Sequence, residues 1–152
     1  MKSKYKNNKG FSLVELIVVI AIMAVLIGVL APTLIRNVEK SKEAVDVQTL
    51  DSVRSSVVTS LSTENVNEAF TSEGIGESTP YVVLLDDIKI TTTGLGKEIK
   101  NELQEDGMLE ATLKSNACKN AKIRITITYD KKVKVEAIGA GTTISKVDMV
   151  VE

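Results

Sequence analysis

The stretch Lys9-Gly10-Phe11-Ser12-Leu13-Val14-Glu15-Leu16 opens the apolar run that decides how this chain is built. From Leu16 to Ile35, twenty consecutive residues carry no formal charge, and most are Ile, Val, Leu, Ala or Met. At about 1.5 Å of rise per residue, a helix of that length covers roughly 30 Å, the thickness of a bilayer's hydrocarbon core. Lys2, Lys4, Lys6 and Lys9 stand before it with no acid among them. The positive-inside rule therefore keeps this leader in the cytoplasm and puts the C-terminal part outside. Glu15 breaks the pattern. An unpaired carboxylate within an apolar membrane helix costs about 2.5–3.5 kcal/mol even on lenient insertion scales. A chain that needed only an anchor would have another Leu there.

The string Gly10-Phe11-Ser12-Leu13-Val14-Glu15-Leu16 resembles the processing and assembly motif of type IV prepilins and the related pseudopilins. The likeness takes in the basic leader, the Gly-Phe junction, the Glu four residues beyond it, the apolar helix and Pro32, about the first third of the chain. It implies that a membrane-embedded prepilin peptidase cuts after Gly10 and methylates the new N-terminus at Phe11. It implies also that Glu15 serves subunit assembly, as helices leave the membrane and pack into a filament core. The implied partners are the peptidase and methylase, further copies of the chain, minor pilins and the inner-membrane pilus assembly machinery. No cofactor and no direct nucleic-acid contact is implied. A signal-anchor with a stray Glu is the plainer alternative. A removable secretory signal fits less well: the apolar run exceeds the usual 7–15 residues, and the small-residue site Val29-Leu30-Ala31 is followed by Pro32.

Composition limits the rest. Of 152 residues, loss of Met1–Gly10 leaves 142, enough for one modest domain beyond the membrane segment. The full chain has a net charge of −1; without the four leader lysines it has 15 bases against 20 acids, a net of −5. That is not the basic footprint of a general nucleic-acid binder. A single cysteine, Cys118, rules out an intramolecular disulfide, which many pilins use to close a C-terminal loop. Histidine is absent, which removes most routes to a transition-metal site and to His-based catalysis.

The pattern predicts one helix from Ser12 to about Ser62, on the order of 75 Å long. Its first half, residues 11–35, is apolar all round and suits a membrane or filament core. Its second half, 36–62, is amphipathic. There Leu34, Val38, Val45, Leu50, Val53, Val57 and Leu61 form one stripe, opposite Arg36, Glu39, Lys40, Glu43, Asp46 and Asp51. Pro32 lacks the N–H that would bond the Gly28 carbonyl, so a kink or local melting is expected between those two. Residues 63–152 read as a globular head. Within it, 63–80 reads as a loop, with one or two short strands in Tyr81–Leu85 and Ile88–Thr91. A short helix at Leu95–Leu103 ends near Gly107, and Met108–Leu113 reads as a strand. Lys122–Tyr129 alternates as a half-buried strand, Asp130-Lys131 turns it, and Lys132–Ala137 returns with Val133 and Val135 inward. Gly139-Ala140-Gly141 ends that strand, and Ile144–Val151 supplies another. A helix packed against a C-terminal antiparallel meander is an α+β architecture, which the resemblance also implies.

No Ser or Cys has a His partner, and no glycine-rich phosphate loop or metal-spaced cluster appears. Asp86-Asp87 could touch calcium, although adjacent acids in a loop are more often solvated, and Cys118 reads as a lone structural thiol. Residues 64–110 hold eleven acids against Lys89, Lys97 and Lys100, while 114–134 hold seven bases against Asp130. The two sets either pair within one chain or face each other between neighbours. The sequence thus reads as a non-enzymatic, type IV pilin-like subunit. It would be a single-pass protein of the cytoplasmic membrane before assembly and part of an extracellular pilus afterwards, serving adhesion, motility or aggregation. The alternatives are a pseudopilin or competence pilin of a secretion or DNA-uptake machine, and a monomeric membrane-anchored binding protein.

Overall fold

A computed structural model of the chain describes residues 10–139, 142–143 and 150–152. The leader residues 1–9, Ala140-Gly141 of the expected strand end, and 144–149 of the expected last strand lie outside the described residues. The chain divides into two compact units, Met1–Val38 and Glu39–Glu152. Helix α1, Leu13–Ser60, starts in the first and ends in the second.

In the first unit α1 is apolar on all sides, and Leu13–Leu30 are exposed throughout. The helix continues through Gly28 and Pro32 without interruption. The expected local melting is therefore absent from the single chain, although Pro32 still leaves the Gly28 carbonyl without its helical donor.

In the second unit the buried residues of α1 are Asp46, Leu50, Val53, Ser56, Val57 and Ser60, a stripe at three- and four-residue steps. Leu50, Val53, Val57 and Leu61 are buried as the spacing predicts, whereas Val45 is exposed. Asp46, expected on the solvated face, is fully buried.

The stripe joins a core completed by the helices and strands that follow it. Helix α2, Glu64–Ser72, replaces part of the expected loop; it buries Val66 and Phe70, four residues apart. Strand β1, Tyr81–Leu84, is followed at once by helix α3, Leu85–Ile90. The second short strand expected there is thus a helix, because burial of Leu85 and Ile88 follows a period of three, not two. Helix α4, Gly94–Glu105, buries Leu95, Ile99 and Leu103 at the expected four-residue spacing. Gly107, at φ +71°, ends the turn that follows it. Met108–Leu113 is irregular, not a strand.

The sheet has β1, β2 (Lys122–Ile127) and β3 (Val133–Gly139) as its body, all antiparallel. Two-residue strands β4 (Thr142–Thr143) and β5 (Val150–Val151) both pair with β3. Ile123, Ile125 and Ile127 of β2 and Val133, Val135 and Ala137 of β3 face the core, and Ile125 stands opposite Val135. Tyr129, the expected end of this strand, lies beyond the end of β2 and is exposed. Lys131 takes a left-handed φ of 59° in the tight turn, with its ammonium 5.7 Å from the Phe70 ring centre.

The start of α4 is held from outside. Thr93 makes no side-chain cap; instead the Leu95 amide donates to Glu73 at 3.1 Å. Gly94 is at φ +64°, where a side chain is strained, and a Cβ there would also crowd the Glu73 carboxylate. Only glycine fits. Burial and the nearby Glu73 carboxylate push the Tyr81 hydroxyl above its ordinary pKa.

Candidate functional site

The site begins where α1 begins. Gly10, Phe11 and Ser12 precede the helix in irregular backbone, and all three are exposed, Phe11 at 94%. Ser12 and Glu15 fix the helix start between them. The Ser12 amide donates to Glu15 Oε2 at 2.8 Å, the Val14 amide donates to Ser12 Oγ at 3.3 Å, and the Leu16 amide donates to the Ser12 carbonyl at 3.3 Å. This is a variant of the Ser-x-x-Glu capping box, with the hydroxyl on the amide of Val14 instead of Glu15, and it satisfies two donors at the helix start. The Ser12-x-x-Glu15 spacing is visible in the sequence, yet only the charge of Glu15 stands out there. The carboxylate is not stray: it lies in the first helical turn, where the helix dipole favours negative charge.

Beyond this start, α1 contains a window of 18 residues with mean hydropathy 3.1, long and apolar enough to cross a membrane. A Cβ added at Gly10 or at Gly28 would meet nothing within 4 Å. Pro32 lies four residues on from Gly28 in the same helix. The structure thus brings Gly10, Phe11 and Glu15 together at one helix end, and leaves Gly28 and Pro32 within its length.

Residues 5–31 match the family model for the prokaryotic N-terminal methylation motif. The chain carries a type IV prepilin-like processing motif. The matched segment holds the Gly10-Phe11 junction, the capping box and most of the apolar run. The chain matches no curated protein and no solved structure. A prepilin-like motif joined to a long apolar helix is consistent with membrane anchoring and with processing by a prepilin peptidase. The motif is of the type found in the prepilins of type IV pilins and pseudopilins.

The head adds a feature that periodicity does not reveal. Two acids of α1, one heptad apart, hold the segment between α4 and β2. Buried Asp46 accepts from the Lys114 amide at 2.6 Å and from the Ser115 amide at 2.9 Å. Glu39 accepts from the Asn116 amide, and from its side-chain Nδ2 at 2.9 Å. Cys118, in the short 3-10 turn Asn116–Cys118, is buried just beyond this clasp. Burial first, opposed by a hydrogen bond with Ser115 and helped by Asp46 and Glu43, pushes its thiol above the ordinary range.

Several bases of the 114–134 segment find acids within the same chain. Among them are Lys122, Arg124, Lys132 and Lys134. Arg124 holds Glu136 across β2 and β3, with Nε at 2.7 Å, and Lys134 reaches Glu152 at 3.1 Å. Lys132 pairs with Asp130 at 2.6 Å. Hydrogen bonds from Lys132 and Thr128 hold the Asp130 carboxyl down at about 2. Lys122, 3.6 Å from Asp86, joins the basic segment to the acidic one. Asp86 also faces Lys89 at 3.7 Å, so lysines occupy the position read as possible calcium contact. Among the described residues no group of three or more acids, Cys or His is placed to hold a metal ion.

Proposed function

We propose that this chain is a pilus subunit, cut after Gly10, methylated at Phe11 and polymerised through α1 into a surface filament. In this reading residues 1–10 are removed, 11–35 form the membrane and then filament-core half of α1, 36–62 its amphipathic half, and 63–152 the exposed head. One observation carries it. Within the prepilin-like match, an exposed Gly10-Phe11 bond in non-helical backbone directly precedes a capped apolar helix with a carboxylate in its first turn. A membrane peptidase meets that bond at the polar edge of the bilayer. Gly10 offers it no side chain to avoid.

Gly10→Val is therefore expected to leave full-length precursor in the membrane, while the wild-type chain begins at methylated Phe11. Intact mass and N-terminal sequencing of material sheared from the cell surface read cleavage, methylation and polymerisation together. Normal filaments of Gly10→Val would overturn the reading.

Assembly has a second expected consequence. Gly28 is a weak helix former, and Pro32 has already removed one hydrogen bond from that turn, so the cheapest place to open α1 lies between about Ala24 and Pro32. The helix that is unbroken in the single chain is expected to open there once packed against its neighbours. A filament density map with helical hydrogen bonding continuous through Gly28 would contradict this.

A further inference from the structure

The capping box touches the scissile bond in a way that the processing motif does not state. In an α-helix the amide of residue i+4 bonds the carbonyl of residue i. Were α1 to run one turn further back, the carbonyl of Gly10, the one the peptidase must attack, would accept from the Val14 amide. In the structure that amide is already taken, because Val14 N–H donates to Ser12 Oγ at 3.3 Å. The Ser12 amide is taken too, by Glu15 Oε2 at 2.8 Å. Both bonds stop the helix at Leu13 and leave Gly10 and Phe11 in open, exposed backbone. At the edge of an apolar segment the alternative to a cap is not water but the nearest carbonyl, since an unsatisfied amide is expensive there.

We propose that Ser12 is a positioning residue for cleavage: its hydroxyl holds the Val14 amide and so keeps the Gly10 carbonyl out of the helix and open to a peptidase. The inference rests on the processing reading above. A carbonyl closed into a helical turn has both its lone-pair face and its flanking backbone covered, and the turn must unwind before the bond lies extended in an active site. Ser12 does this unwinding in advance. The side chain never touches the reacting atoms; it acts through Val14 N–H.

The test uses the full-length chain in liposomes with a prepilin peptidase, comparing wild type with Ser12→Ala, Ser12→Thr and Ser12→Asn. Thr and Asn are both competent N-caps and Ala is not. Ser12→Ala is expected to cut kcat/KM by up to about fivefold, the limit set by the change in equilibrium that loss of an N-cap brings. The loss falls mainly in KM, because only the open fraction of the precursor binds productively. Backbone NMR shifts of Gly10 and Phe11 should move toward helical values in Ser12→Ala alone. Thr and Asn should both restore cleavage and the wild-type shifts. Cleavage of Ser12→Ala at the wild-type rate would overturn the inference while leaving the processing reading intact. So would rescue by Thr but not by Asn, because the peptidase would then be reading the hydroxyl itself. A wild-type chain that is never cut would instead overturn the processing reading on which this one stands.

Discussion

A Glu15→Ala chain is expected to be cut normally at Gly10-Phe11, yet to form few filaments when it is the only subunit type. Cleavage makes an amine at Phe11, at the start of an apolar helix, and Glu15 is the one opposite charge at that depth. Two charges in apolar surroundings are each costly unless paired, so the amine of one subunit and the carboxylate of its neighbour would set the register of an incoming helix. Removing one partner of such a pair costs about 3–5 kcal/mol, which weakens subunit addition by at least about a hundredfold. The capping box adds a control. Glu15→Ala also deletes the acceptor of the Ser12 amide, whereas Glu15→Gln keeps a competent capping box and removes only the charge. If the charge is what assembly needs, both variants fail alike, as counted by electron microscopy of sheared filaments. Normal filaments from Glu15→Gln would show that the charge pairing is dispensable.

The head is expected to depend as sharply on Asp46. Its two oxygens accept the Lys114 and Ser115 amides inside the core, at 2.6 and 2.9 Å. Asp46→Ala leaves two donors unsatisfied, one buried and one partly so, for a loss of about 3–5 kcal/mol. That is a large share of the roughly 5–15 kcal/mol that a domain has in total, and a fall in melting temperature of at least about 10 °C. Asp46→Asn, which keeps the shape and one acceptor, should lose less. Glu39→Ala should lose least, since its bonds to Asn116 lie at the surface. Thermal unfolding of the detergent-solubilised chain measures all three. An Asp46→Ala protein within about 1 kcal/mol of wild type would mean that the clasp does not hold the head together.

These two acids also show what a sequence can and cannot reveal. Glu15 is conspicuous because its surroundings are local: twenty uncharged residues make one carboxylate an anomaly without any fold in hand. Asp46 is inconspicuous because its reason for burial lies 68 and 69 residues away, in two backbone amides that no side-chain pattern records. The β2 and β3 strands are legible in the alternation of Ile123, Ile125 and Ile127, and α4 in Leu95, Ile99 and Leu103. Helix α2 is hidden by its polar composition, since only Val66, Ala69 and Phe70 mark its inner face. Around Ile88 both periods fit, and only packing decides between them. Met108–Leu113 has strand-like residues, yet it runs as turn and irregular backbone outside the sheet β1-β2-β3-β4. Ser12 was within reach. Its spacing to Glu15 is a helix-start signature in its own right.

The clasp also sets a clock on the making of the protein. Arg54 Nε bonds the carbonyl of Val133, 79 residues later, and Asp46 waits almost as long for Ser115. A single helix forms in about a microsecond, but a ribosome adds only about 5–20 residues per second, so Val133 follows Arg54 by roughly 4–16 s. Throughout that interval Leu50, Val53 and Val57 have no sheet to lie against. The half-made chain must carry, bare, the same stripe that the finished head buries completely.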